Sequence, residues 1–261
     1  MSDTAPLLVR RDGAIATLTF NRPAALNALD PAMARLLAEE SEALRRDPGL
    51  RALLLTGEGR AFMAGGDIAV LADDPGPTTA DRLILNLHRG LANLAGLAAP
   101  VIAVCQGAVA GAGFSLAMAA DFVIAADDAK FTTAYARIGA SLDGSSSWTL
   151  PRLVGHRKAM ELALLSPVLD AAEALRLGLV TRLVPAAALT DEAMALARTL
   201  AAGPTHAYGR MKALLRASHQ NGLVEQMELE RLLFGAGAAT ADFAEGTAAF
   251  LAKRKANFQG R

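Results

Sequence analysis

The chain has one cysteine, no excess of either charge and few histidines, and each shortage removes a class of function. Cys105 has no second cysteine to pair with, which excludes an intrachain disulfide. Its surroundings, Val101-Ile102-Ala103-Val104-Cys105, read as a buried strand, so the thiol is a core group rather than an electropositive redox centre. Lys plus Arg and Asp plus Glu both number 26, so no global field favours nucleic acid, and phosphate recognition would have to be local. The four histidines, His88, His156, His206 and His219, show no metal-ligand spacing, and no P-loop is present. Neither a metal nor a separate cofactor is expected. Met1-Ser2-Asp3-Thr4 carries no basic region followed by an apolar stretch, so no signal peptide is expected, and with the lone thiol this fits a reducing cytoplasm.

The stretch from Gly90 to Ala120 is free of charge, which raises the question of a membrane span. Pro100 interrupts it, the β-branched cluster Val101–Val104 prefers a strand, and Gly107, Gly111 and Gly113 punctuate the rest. A buried strand, a tight turn and a buried helix account for it better, and no membrane partner is expected.

Patterning elsewhere gives an α/β chain. Ala14–Phe20 alternates like a strand and stops at Asn21-Arg22-Pro23; Asp30 and Pro31 then suit the start of a helix carrying Met33, Leu36, Leu37 and Leu44. Leu53–Thr56 is a second strand. Asp73–Thr79 is rich in Pro, Gly and Asp and reads as a loop. Leu83, Leu87, Leu91 and Leu94 mark a helix, Val101–Cys105 a strand, Phe114–Ala120 a helix and Phe122–Ala126 a strand. After Pro151 helical signals dominate. Asp170 with Glu173 forms a capping-box pattern, Val180–Val184 is one late strand, and helices are expected over Thr190–Ala202, Thr205–Ala217, Leu223–Phe234 and Thr240–Lys253. The division is a core over residues 1–190 and a helical region over 191–261.

Two segments of small residues follow strands and precede helices: Ala61–Ile68, containing Gly65-Gly66, and Gly107–Phe114, containing Gly111-Ala112-Gly113. Small residues let a ligand reach the backbone, and free N–H groups at a helix start can hold an oxygen that is gaining negative charge. Other readings compete. Gly111-x-Gly113 lacks the third glycine of a dinucleotide turn. Gly113-Phe114-Ser115-Leu116-Ala117 departs from a nucleophile elbow at its last position, and Asp143 with His206 or His219 would have to complete a triad without local support.

Asn21-Arg22-Pro23 with Asn27-Ala28, then Phe62–Asp67, Gly107–Asp121, Ala134–Gly139 and Leu150–Gly155 stand in the order and spacing of the crotonase (enoyl-CoA hydratase/isomerase) family, which the chain resembles over almost its whole length, including Phe250–Arg254. The resemblance implies a crotonase (ClpP-like) α/β fold of repeated ββα units, a helical C-terminal trimerisation region, a homotrimer or a dimer of trimers, and acyl-CoA substrates. It implies that the backbone N–H groups of Gly66 and Ala112 hold the thioester oxygen. Coenzyme A contacts would fall at Ala25, Leu26, Ala64, Gly66, Asp67, Ile68, Phe250 and Lys253. Family hydratases carry two glutamates where this chain has Ser115 and Tyr135, and neither replacement is a good base near neutral pH. Asp143 offers another acid. Its context, Ser141–Trp148, resembles ring-opening isomerases of phenylacetyl-CoA breakdown and 4-chlorobenzoyl-CoA dehalogenase, the latter with a histidine base where His88 stands. The expected function is enoyl-CoA isomerisation or hydration with Asp143 as acid/base, and Tyr135 is kept among the catalytic candidates. The alternatives are hydrolysis or dehalogenation with Asp143 as nucleophile and His88 as base, or a non-catalytic or RNA-binding role. Asp143 could also be a plain helix N-cap.

Overall fold

The computed structural model describes residues 5–73 and 77–261. In chain order the strands are Leu7–Asp12 (β1), Ile15–Phe20 (β2), Ala52–Gly57 (β3), Val101–Cys105 (β4), Ala108–Ala110 (β5), Phe122–Ala126 (β6), Lys130–Thr132 (β7), Leu169–Asp170 (β8) and Arg182–Val184 (β9). The α-helices are Pro31–Arg45 (α1), Ile68–Asp73 (α2), Pro77–Ala95 (α3), Ala112–Ala119 (α4), Ser146–Val154 (α5), His156–Leu165 (α6), Ala171–Arg176 (α7), Leu189–Ala201 (α8), Thr205–Ala217 (α9), Leu223–Ala238 (α10) and Ala241–Leu251 (α11).

Six strands form the main sheet in the order β1-β2-β3-β4-β6-β9, parallel throughout except for the β1–β2 hairpin. A parallel strand is covered on both faces, so its period-two alternation sorts residues between two cores instead of between core and water. Ala16, Leu18 and Phe20 of β2, Leu53 and Leu55 of β3, and Ala103 and Cys105 of β4 enter the larger core. Ile15, Ala52, Leu54, Ile102, Val104 and Ile124 enter the smaller one on the opposite face. Cys105 is completely buried, which pushes its thiol pKa up and keeps it inert. A second sheet, β5-β7-β8, stands beside the first.

The helix start at Asp30 is built as the sequence indicates: the Asp30 carboxylate accepts the Met33 N–H at 2.7 Å, with Pro31 in the first turn. Met33, Leu37 and Leu44 are buried from that helix, which packs against α3. Asp170 caps α7 through the Glu173 N–H at 2.8 Å. The reciprocal half of the expected capping box is missing, because Glu173 is taken by Arg176 at 2.6 Å. The loop expected over residues 73–79 is shorter than its composition suggests: α2 runs to Asp73 and Pro77 opens α3, where proline costs a first-turn helix nothing. Residues 74–76 of that loop, like Met1–Thr4, lie outside the described residues.

Helix α8 belongs to the sheet, since Leu189, Ala193 and Ala197 fill the smaller core. The helices that stand off begin after it. An ionic cluster fastens them: Lys212 of α9 meets Asp121 at 2.5 Å and donates to the Ala99 carbonyl at 3.0 Å, and Arg216 meets Asp121 at 3.3 Å. Apolar side chains on this arm, among them Leu215, Phe234, Phe250 and Leu251, are exposed in the single chain. Among the described residues no helix is long and apolar enough to cross a membrane, and Gly90–Ala120 resolves into the end of α3, then β4, β5 and α4.

Candidate active site

The two small-residue segments lie side by side. Met63 N–H donates to the Ala108 carbonyl at 3.0 Å, and Ala110 N–H returns to the Met63 carbonyl at 2.9 Å. Helix α4 then starts so close that a Cβ on Gly113 would collide with the Met63 carbonyl oxygen, which is why glycine is required there. A Cβ on Gly111 would stand 3.3 Å from the Gly65 Cα. Gly66 N–H has no hydrogen-bond partner among the described residues, and neither has Ala112 N–H, the first of α4. Both residues line one cavity of about 260 Å³. Its other walls are mostly apolar, with Ile68 and Leu71 from α2, Leu83 and Ile84 from α3, and Ile138 opposite. Ala112 is 4% exposed as a whole residue, and its methyl group leaves the backbone donor in place.

A second set of bonds brings the Arg22–Asp30 loop to the same place. Leu26 and Asn27 adopt left-handed backbone conformations, and the buried Asn27 amide holds that bend by donating to the Glu58 and Ala61 carbonyls at 2.9 and 2.8 Å. Ala64 N–H donates to the Leu26 carbonyl at 3.0 Å, Leu29 N–H to that of Gly65 at 2.8 Å, and Asp67 N–H to that of Leu29 at 2.9 Å. Arg22 clasps the arrangement, reaching Asp67 at 2.8 Å and Asp30 at 3.2 Å. Its hydrogen bond holds the Asp67 carboxyl below the usual carboxylate range, against the effect of burial. Ala25, Leu26, Ala64, Gly66, Asp67 and Ile68 therefore converge on one region, with Ala64, Gly66 and Ile68 lining the cavity itself.

Among the described residues, Asp143 is the one acidic residue of the cavity wall. Burial raises its pKa, while the hydrogen bond from Tyr135 and, whenever it is charged, His88 act in the opposite direction. Tyr135, also in the wall, donates its O–H to Asp143 Oδ1. Burial first, and then the charge of Asp143, push the phenol pKa far up, so Tyr135 stays protonated. Ser115 Oγ lies 2.8 Å from Tyr135 Oη and 2.6 Å from Ser146 Oγ. The positions where the family resemblance puts two glutamates, held here by Ser115 and Tyr135, are thus adjacent, and Tyr135 joins them to Asp143. Asp143 does not cap α5; Ser145 precedes that helix, and no side chain caps it. The Asp143 carbonyl instead accepts the Ser146 N–H at 3.0 Å. Gly144 packs at φ +56 so tightly that a Cβ would stand 2.6 Å from the Ser115 Cβ.

His88 is exposed at the rim and absent from the cavity wall, its Nε2 accepting the Gly144 N–H at 3.2 Å. Phe250 and Lys253 are not brought to this cavity within one chain: Phe250 is exposed and lines a separate apolar hollow with Phe243 and Phe258. Among the described residues, no three His, Cys, Asp or Glu side chains gather as a metal site. Sequence reasoning missed Ser146 and the clasp by Arg22, since neither lies near its partner along the chain.

The family model described as enoyl-CoA hydratase/isomerase matches residues 10–261. The chain is 41% identical over 253 residues to 1,2-epoxyphenylacetyl-CoA isomerase of Escherichia coli K12, covering 95% of each. It is 35% identical over 251 residues to 4-chlorobenzoyl coenzyme A dehalogenase-2 of an Arthrobacter species, covering 94% of this chain and 90% of that one. A crystal structure of an enoyl-CoA hydratase from Polaromonas sp. JS666 superimposes with a TM-score of 0.92 at 34% identity, over 97% of this chain and 99% of that one.

Proposed function

The chain belongs to the enoyl-CoA hydratase/isomerase family and is an enzyme of hydratase/isomerase type, and from that premise we propose that it isomerises an unsaturated or strained acyl-CoA through an enolate, with Asp143 as the acid/base. The observation that carries this reading is the meeting in one cavity, among the described residues, of a single carboxylate and two unpartnered backbone N–H groups. Asp143 takes a proton from a carbon of the acyl chain. The electron pair moves onto the thioester oxygen, held by the Gly66 and Ala112 N–H groups, and the carboxylic acid returns the proton at another carbon. Such a base must be reasonably strong yet able to give its proton back, and burial tunes Asp143 in that direction. Its neighbour Tyr135 steadies one oxygen and leaves the other for the substrate.

At about 260 Å³ the cavity is below the range of roughly 300–1,000 Å³ that holds a whole drug-sized ligand, so it suits the acyl group, with coenzyme A outside it. The Ala25–Leu26 and Ala64–Ile68 segments are the reading's contacts for coenzyme A. Phe250 and Lys253 would join them from a neighbouring subunit of a trimer or a dimer of trimers. Resemblance to an epoxyphenylacetyl-CoA isomerase supports aromatic or cyclic acyl groups as the first to be tried.

Purified protein is to be assayed against enoyl-, aryl- and epoxy-acyl-CoA esters in heavy water. The expected result is turnover with deuterium entering the acyl chain, lost in Asp143→Asn while an unreactive acyl-CoA analogue still binds. Wild-type exchange rates in Asp143→Asn, or loss of analogue binding, would overturn the reading.

A further inference from the structure

The hydroxyl chain behind Asp143 has a direction, and the charge of Asp143 sets it. Ser146 Oγ, Ser115 Oγ, Tyr135 Oη and Asp143 Oδ1 follow one another within hydrogen-bond distance, and Ser115 and Ser146 are completely buried. Each hydroxyl carries one proton. An ionised Asp143 can only accept, so Tyr135 must spend its proton on it. Ser115 must then supply the proton between itself and Tyr135, and Ser146 the one between itself and Ser115. When Asp143 takes the substrate proton on the oxygen that Tyr135 leaves free, Oδ1 still accepts the Tyr135 O–H and the sequence keeps its direction. Only a proton on Oδ1 turns part of it round: Tyr135 then accepts from Asp143 and donates to Ser115, whose own proton has two carbonyls at 3.2 Å to go to, those of Gly111 and Asp143. Both protonation states of the base therefore have a satisfied hydrogen-bond pattern without any side chain moving.

We infer that Ser115 and Ser146 are positioning residues that aim the Tyr135 O–H at Asp143 and thereby set the basicity of the carboxylate during turnover. The inference rests on Asp143 serving as the base. Hydrogen bonds in series polarise one another: donation from Ser115 makes the Tyr135 O–H a stronger donor, and a stronger donor favours the ionised acid. Besides Tyr135, the ionisable group facing Asp143 is His88 from α3, and the serines add no charge of their own. The protons only change partners along the chain, so no group is consumed and no co-reactant is needed.

The test is a direct titration of the Asp143 carboxyl by 13C NMR on protein labelled at aspartate, with Asp143→Asn identifying the resonance. Tyr135→Phe is expected to raise the midpoint by about one pH unit, since it deletes a hydrogen bond to a charged group. Ser115→Ala keeps the phenol but loses the polarisation, so it should raise the midpoint by a few tenths of a unit, and Ser146→Ala by less in the same sense. The acidic limb of the pH–turnover profile should move by the same amounts, which a mere loss of folded protein would not produce. Midpoints in Ser115→Ala and Ser146→Ala equal to that of the native protein would overturn the inference, even if Asp143→Asn had lost exchange. Shifted midpoints together with full exchange in Asp143→Asn would instead uphold the chain and remove Asp143 as the base. If Ser115→Ala fails to fold, Ser146→Ala and Tyr135→Phe decide the matter.

Discussion

The Gly144 N–H donates to His88 Nε2 at 3.2 Å, so the lone pair with which His88 would activate water is occupied by the turn that carries Asp143. His88 acts as a clamp on the backbone beside the proposed catalytic carboxylate, which speaks against hydrolysis through a covalent Asp143 intermediate.

The first prediction follows from that clamp. His88→Ala removes one neutral hydrogen bond, with a net worth of about 1 kcal/mol, so kcat should fall about fivefold with KM little changed. His88→Gln, whose amide oxygen can accept in place of Nε2, should recover part of the loss. Mass spectrometry of quenched His88→Ala should show no acyl ester on Asp143. A trapped ester would make Asp143 a nucleophile and His88 the base that frees it.

The second prediction isolates one backbone donor. Proline suits the first position of a helix and has no N–H, so Ala112→Pro should preserve α4 and delete half of the proposed oxyanion hole. Gly111 before it sits at φ +49, ψ −119, the mirror image of the extended conformation preferred ahead of proline. Loss of one such donor lowers kcat by about 10²–10³-fold. Ala112→Gly keeps the donor and should stay within a few-fold of native turnover. A folded Ala112→Pro protein, judged by circular dichroism, that works at the native rate would exclude Ala112 from the site.

How far the sequence revealed this site depended on the distance over which each signal acts. Local chemistry was legible: Asp30-Pro31 starts α1, and the glycines of residues 65–66 and 111–113 mark where backbone must come close. The long parallel strands were legible because both faces are apolar. Strands β5, β7 and β8 have two or three residues each, too few to display a period, and β1 ends in Arg10-Arg11-Asp12 at the sheet edge, where nothing forces alternation. Asp143 was visible through family resemblance, but its surroundings were not. Ser115 and Ser146 are 31 residues apart in sequence, and two isolated serines acquire a joint meaning only when α4 and α5 meet.

The third prediction concerns the C-terminal arm. Leu215, Phe234, Phe250 and Leu251 are exposed in the single chain, and large apolar side chains left in solvent on one arm are what a subunit contact would cover. Light scattering should give a trimer or hexamer, and Phe234→Glu should shift it towards smaller species. Lys253→Ala should weaken coenzyme A binding more than it slows the chemical step, as expected of a group that meets a phosphate away from the reacting carbon. A stable, fully active monomer would refute both expectations.

The last prediction is that the Asp143 carboxylate weakens the fold at neutral pH. Burial raises the pKa of Asp143 in the folded chain above the ordinary Asp value of 3.8, so the native state holds that proton more tightly than the unfolded state does. Between the two titrations the folded protein binds more protons, and stability therefore falls as pH rises through that window and stays lowered above it. Asparagine cannot ionise, yet its amide oxygen can accept the Tyr135 O–H as the carboxylate does. Asp143→Asn should accordingly melt at a higher temperature than the native protein at pH 7. Below the window Asp143 is neutral in both states, so the two melting temperatures should converge as the pH is lowered towards it. Tyr135 does not disturb the comparison, because its pKa is pushed upward and it stays protonated throughout. Scanning calorimetry across the acid range decides the sign: a native protein more stable than Asp143→Asn at pH 7 would mean that hydrogen bonding to the carboxylate outweighs its desolvation, and that Asp143 is not held as a strengthened base.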